Sequence, residues 1–570
     1  MHFACVLALW AGRVTGLSAK VRQSPWELAQ MWDKQTLASF SVPQLDAFSV
    51  ILQGECPLLS RAVRCRQRRR PGLARLRRLE SSYLDEEAFL AKRQAVAMMR
   101  HVWKNYEQHA FGKDELRPVS GNGTDNWGGI GQTLVDALDT LWLMGFMEEF
   151  DRAAVWVESS LSFSKDLNVN LFETSIRHLG GLLAAFALSG RAGLLAKARD
   201  LGDRLIKAFP GAAPEGESKM SIGALDSEFR KLLNQVGLPT DALDSALGTA
   251  EAEAKPAPIS SLPSSDINLG TGEAKNLAGY ISLAEAYVPM EWKYLTALTS
   301  NCSYATTQDQ VLRAINRSQD LEKKGLATIM VKPDGTSFLS PENRLSLGSR
   351  GDSFYEYLLK DTIFSGQAAD PLARKLWSTF RAKLPQLFAE ADPQVRSSRK
   401  RPEVHGGTRG GWFESSKDVP KPWLFLKEVT FHHTVPKMDH LICFLPGAIA
   451  LEAFHSTARA QEDLKLAHRL AQTCVHMYWR TASDLAPEIT RFDQHGLVDD
   501  LGSMHNILRP ETIESLFILW RTTKRQIYRN WGQRMLCAFY RTKAPFGFAS
   551  LHNVNRPSAP RDDMPSFFIA

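Results

Sequence analysis

Leu508-Arg509-Pro510-Glu511-Thr512-Ile513-Glu514-Ser515-Leu516-Phe517 is the stretch on which the reading of the fold turns. Pro510 suits the first helical position, and Glu511 and Glu514 fall in the first turn, where the helix dipole favours anions. The two acids are three apart and share a face, while Ile513, Leu516 and Phe517 make an apolar one. By itself such a stretch describes a well-capped helix. Its company changes the reading, because other stretches also set acids, and often an arginine, on otherwise apolar helices.

Gly131 to Phe146 is nearly apolar except for Asp136 and Asp139, and acids on a buried helix are costly unless hydrogen-bonded or functional. Leu171 to Leu188 reads as one helix. Phe172, Ile176, Leu179, Leu183 and Phe186 form an apolar stripe, and Glu173, Arg177, Gly180 and Ala184 form a second, charged at its start and small afterwards. An i,i+4 pair on a solvent face contributes only a few tenths of a kcal/mol. The small residues below it argue instead for close helix packing. Gly348-Ser349-Arg350-Gly351-Asp352-Ser353-Phe354-Tyr355-Glu356 is a glycine-bounded turn entering a helix, where an Asp commonly serves as N-cap. Helix pairs with little strand pattern and no fixed repeat fit an all-α toroid.

Together these stretches resemble the class I α-1,2-mannosidases, glycoside hydrolase family 47. The resemblance is carried by Thr133 to Thr140, Asn170 to Arg177 with Gly180-Gly181, Gly351 to Lys360, Met438 to Phe444, Ala486-Pro487-Glu488 and Arg509 to Thr512, in family order from about Arg93 to Ala570. It implies an (α/α)7 barrel and inverting, calcium-dependent removal of terminal α-1,2-linked mannose from high-mannose N-glycans. Glu173 would be the general acid, with Glu511 or Asp352 as base and Glu488 a further site acid. Arg177, Arg350, His440 and Arg509, with Glu291, Glu356 and Glu514, would contact the sugar, while Glu285 matches another family acid and Asp136 lies near the floor. Cys443 and Cys474 take the positions of a family disulfide, which points to an oxidising compartment, endoplasmic reticulum or Golgi. Tyr287-Val288-Pro289 departs from the family, and a proline there disturbs a continuous helix. The family's direct calcium ligand is a threonine expected beyond Ala570, so no protein metal ligand is expected within the chain. A catalytically impaired glycan-binding or quality-control protein of the same fold is the alternative.

The 570 residues, 44% hydrophobic, suffice for a large core. The net charge of +7 owes much to Arg61, Arg64, Arg66, Arg68, Arg69, Arg70, Arg75, Arg77 and Arg78. This run at 61–78 reads as part of a flexible arm over residues 1–84 and not as a nucleic-acid site, since no zinc-finger spacing, phosphate loop or dinucleotide fingerprint accompanies it. His2 to Gly12 is apolar but shorter than the roughly 20 residues a bilayer needs. Membrane attachment would therefore use a weak or missing N-terminal segment. The catalytic domain is expected over 85–570, with a proline-rich surface insertion near 210–275. Asn122-Gly123-Thr124, Asn301-Cys302-Ser303 and Asn316-Arg317-Ser318 fit the glycosylation pattern.

Overall fold

The computed structural model describes residues 73–210, 262–275, 279–337, 343–365, 371–391, 423–430, 433–455 and 458–570. Helix begins before the expected domain start at 85, in α1 (Leu73–His109), so the 84/85 boundary falls inside a helix. There follow α2 (Gln132–Asp136), α3 (Leu138–Leu143), α4 (Met147–Ser159), α5 (Leu171–Thr174), α6 (Gly180–Ser189) and α7 (Ala192–Leu205). Next come α8 (Leu283–Ala286), α9 (Pro289–Thr299), α10 (Ser303–Gln319), α11 (Asp352–Phe364) and α12 (Pro371–Lys383). The last are α13 (Leu445–His455), α14 (Ala460–Trp479), α15 (Glu511–Thr523) and α16 (Gln526–Tyr540).

These helices pair as hairpins: α3 with α4, α6 with α7, α9 with α10, α11 with α12, α13 with α14, and α15 with α16. The first members also touch in sequence, from α3 to α6, α9, α11, α13 and α15, and so line an inner ring. The second members stand outside it. α1 packs on α16, and the turn Ser566–Phe568 packs on α2. Composition follows this layering. The inner α6 and α13 are apolar almost all round, whereas outer α7 and α14 are amphipathic, with Leu194, Ala198, Leu201 and Leu205 buried on α7. Close approach fixes α13 against α15, because a Cβ on Gly447 would lie 2.9 Å from the Ser515 Cα. Large aromatics fill the space between layers, among them fully buried Trp103, Trp292, Trp531 and Tyr478.

Short antiparallel strands, not legible in the sequence, tie the loops at the helix ends. Lys437–Asp439 pairs with Ile489–Asp493, which pairs with Gly496–Asp499. Asn168–Asn170 pairs with Asp266–Asn268, and that strand with Ala274–Lys275. The tail of the expected 210–275 insertion is therefore built into the sheet beside α5, while 211–261 lies outside the described residues. So do His2 to Gly12 and the arginines from 61 to 70. Among the described residues no helix is long and apolar enough to cross a membrane.

Candidate active site

Two strained turns deliver the arginines. Leu508 has φ +64° and Arg350 φ +75°, a left-handed conformation that costs a non-glycine residue on the order of 1 kcal/mol or more. The Leu508 N–H donates to Asn506 Oδ1 at 2.9 Å, and Asn506 Nδ2 donates to the Ala486 carbonyl at 2.7 Å. The turn so held sends Arg509 onto Glu488, Nε to Oε2 at 2.6 Å. At the other turn the Ser349 N–H donates to Asp439 Oδ2 at 3.0 Å, and Lys437 pairs with Asp439 at 2.6 Å and Glu428 at 3.1 Å. Arg350 points toward Met330 Sδ, 3.8 Å away. Asp352 is not the N-cap that its sequence setting suggests. It is the first residue of α11, the cap position is Gly351, and its carboxylate takes the neighbouring Ser353 N–H at 2.8 Å.

Strand register joins the next two residues. Asp439 stands opposite Ile489, so the His440 N–H reaches the Glu488 carbonyl at 2.8 Å. The His440 ring then lies between α14 and α15, with Nε2 2.7 Å from the Tyr478 hydroxyl and Nδ1 3.5 Å from Glu511 Oε2. Glu514, one turn along α15, meets Lys360 Nζ at 3.2 Å, and Lys360 also bonds Glu356 one turn back on α11. Lys360 was not singled out from the sequence. A lone lysine on an apolar helix, four residues after an acid, was the available signal.

Glu173 and Arg177 occupy a helix with a defect. Asn170 caps it, its Oδ1 accepting the Glu173 N–H at 3.0 Å, and Ser175–Leu179 forms a π-turn between α5 and α6. The single helix expected over Leu171 to Leu188 is thus locally unwound, as π-bulges at functional positions commonly are. Arg177 Nε and Nη2 lie 2.9 and 2.8 Å from Glu173 Oε2, and Nη1 is 3.7 Å from Asp136. The Arg177 guanidinium lies 5.3 Å over the Phe567 ring, while Ser566 donates to Asp136. Phe567 is a site neighbour that the helix patterns could not reveal, since it lies in a single turn, Ser566–Phe568.

The short α8 links both halves. Asn170 Nδ2 donates to Glu285 Oε1 at 3.2 Å, Glu285 closes a capping box with Ser282, and the Ala284 N–H donates to the Arg350 carbonyl at 2.9 Å. The helix breaks after α8, and Pro289, expected to disturb a continuous helix, becomes the first residue of α9, where a missing N–H costs nothing. Glu291 is buried behind this break, and Tyr357 donates toward both its oxygens at 3.0 Å. Cys443 and Cys474 form the disulfide, joining the turn after His440 to α14.

Protonation differs sharply among these acids. Burial, helped by the neighbouring Glu356 and Glu511 charges, pushes Asp352 up to about 8 against the Ser353 N–H and Arg509. Burial would raise Glu511 too, but His440 and Arg509 outweigh it and hold the carboxyl below its usual range. Burial pushes Glu514 up, with Glu356 adding to it and Lys360 opposing. A proton-holding and a proton-free carboxyl thus share one site.

The acids here offer oxygen donors, as calcium prefers, and Glu488 Oε1 and Glu511 Oε2 are buried with no hydrogen-bond partner among the described residues. Yet among the described residues no three His, Cys, Asp or Glu side chains converge to hold a metal, and Glu356 and Glu514 are turned to Lys360. The described residues do not fit a directly ligated calcium.

The family model for glycosyl hydrolase family 47 matches residues 98–255 and 255–570. The chain belongs to glycosyl hydrolase family 47. It is 34% identical over 482 residues to the human endoplasmic reticulum mannosyl-oligosaccharide 1,2-alpha-mannosidase, covering 82% of this chain and 58% of that one. The rat enzyme of that name is 33% identical, with 82% and 61% covered, and the Schizosaccharomyces pombe one 31%, with 82% and 81%. The chain spans about 60% of the length of these mammalian relatives. An α-1,2-mannosidase from Trichoderma reesei superposes with TM-score 0.61 at 22% identity, covering 84% of this chain and 91% of that one. The hairpin ring of this family 47 chain is the (α/α)7 barrel of that neighbour.

Proposed function

We propose that the chain from α1 onward forms one catalytic unit that hydrolyses terminal α-1,2-linked mannose of high-mannose N-glycans with inversion, in the secretory pathway. The observation that carries the reading is the convergence of Asp352 on α11 and Glu511 on α15 in one site, where the Glu511 charge helps to push Asp352 up to about 8 while Glu511 itself is held low. Glycoside hydrolysis by inversion needs a proton donor at the leaving oxygen and a carboxylate that takes a proton from water on the opposite face. Glu511, held below its usual range by the nearby His440 and Arg509, suits the base. For the donor, family resemblance favours Glu173, whereas environment favours Asp352, whose carboxyl burial pushes up to about 8. Arg177, Arg350 and Arg509 supply donors for sugar hydroxyls, and Glu356, Glu488, Glu514 and Glu291 supply acceptors. The Cys443–Cys474 disulfide supports an oxidising compartment. A calcium requirement would show as mannose release lost in chelator.

Mannose release from a high-mannose glycan, with calcium and with chelator, tests the activity. Glu511→Gln should lose about 100-fold or more in turnover on any substrate. Loss of the acid should be relieved by an aryl mannoside whose leaving group needs no proton, so whichever of Glu173→Gln and Asp352→Asn recovers on that substrate identifies the donor. Glycan binding without any mannose release by the unaltered chain would overturn the enzymatic reading and leave a glycan-binding protein.

A further inference from the structure

The hydrogen-bond chain behind Glu511 is longer than the acid chemistry alone requires. Tyr478 is fully buried on α14, and its hydroxyl lies 2.7 Å from His440 Nε2, with Thr512 Oγ1 3.4 Å from the same nitrogen. The other ring nitrogen, Nδ1, makes no hydrogen bond among the described residues and faces Glu511 Oε2 at 3.5 Å. Two tautomers are open to a neutral imidazole. With the proton on Nε2, the Nδ1 lone pair would oppose a carboxylate lone pair. With the proton on Nδ1, Nε2 accepts from the Tyr478 hydroxyl and the N–H faces the carboxylate. Only the second sets a donor, and not a lone pair, against the carboxylate while Nε2 keeps its partner.

We propose that Tyr478 is a positioning residue for the base. Its hydroxyl, donated to His440 Nε2, fixes the tautomer whose Nδ1–H faces Glu511. The disulfide lies between the same two elements, since Cys474 is one turn before Tyr478 on α14 and Cys443 is three residues after His440. It therefore holds donor and ring together. Burial keeps the Tyr478 phenol protonated far above neutrality, so the hydroxyl remains a donor throughout the working range. The inference rests on the reading of Glu511 as base. The other charged groups about Glu511 are Arg509 at its own helix entrance, Asp352 on α11 and Glu488 in the adjoining loop. Tyr478→Phe changes none of them.

Two measurements on the full, oxidised chain test this. In Tyr478→Phe, the acid limb of the kcat/KM profile should move up by roughly half to one pH unit, because Glu511 loses its fixed N–H neighbour. Activity should then fall more at pH 5 than at pH 8. A uniform loss with an unmoved limb would mark a merely structural tyrosine and overturn the proposal. Independently of turnover, ¹⁵N-histidine spectra should show His440, assigned by its disappearance in His440→Gln, protonated at Nδ1 in the parent and redistributed in Tyr478→Phe. A parent His440 protonated at Nε2 overturns it as well. Full activity of Glu511→Gln would instead overturn the assignment of the base.

Discussion

Replacing Lys360 by Met removes a buried cation while keeping the stem's length and volume. Lys360 is 4% exposed, with Glu356 and Glu514 at 12% and 22%, so the three charges are screened little by solvent. An exposed ion pair contributes about 0–1 kcal/mol, but removing one partner of a buried one costs about 3–5 kcal/mol, because the remaining charge keeps its desolvation penalty. Two carboxylates are stranded here, on α11 and α15, and they repel each other. They can escape only by binding protons, so their pKa values in the folded variant rise above the unfolded value of about 4.3. A group raised on folding contributes stability that is present below its unfolded pKa and lost as pH rises through its folded one. The defect of Lys360→Met should therefore be small near pH 5 and reach about 3–5 kcal/mol near pH 8. Unfolding entropy of about 2 cal/mol/K per residue makes 1 kcal/mol about 1 °C for a domain this large. Thermal unfolding of parent and variant at both pH values should show a gap of about 3–5 °C at pH 8 that largely closes at pH 5. Equal gaps at both pH values, or a gap below 1 °C at pH 8, would refute the picture of an ion triad bridging two inner helices.

Two further outcomes are expected. Cys443→Ala/Cys474→Ala, or reduction, opens a link across 31 residues and should cost about 3–4 kcal/mol by the chain-entropy relation, read as a lowered urea midpoint. His178 is buried on the π-turn with neither nitrogen hydrogen-bonded to a described residue, and burial lowers it to about 4 against the pull of Asp136 and Asp114, with Arg177 adding slightly. A histidine depressed on folding contributes stability present above about pH 6.5 and lost as pH falls toward 4. Urea titrations of His178→Val should show a weaker decline across that window than the parent, by up to about 3 kcal/mol at its foot; parallel declines would count against it.

Local sequence settles a good deal of this molecule. The helix entrances at Asn170, Asp352 and Glu511 are legible because capping, dipole and apolar period act within a turn or two, and the order of those stretches carries the family. What stays hidden depends on contacts between distant residues. Whether Asp352 holds a proton is decided by its burial and by Glu356 and Glu511 beside it, and periodicity has no term for that. The π-turn under Arg177, the left-handed turns at Leu508 and Arg350, and the strand register that lays His440 on Glu488 are likewise set by packing against other elements. Lys360 and Tyr478 look, in sequence, like a stray cation and a core aromatic. Only the ring, by closing α11 onto α15 and α14 onto His440, gives the one two carboxylates to hold and the other an imidazole to orient, because burial makes each unpaired polar group costly and so dictates its partner.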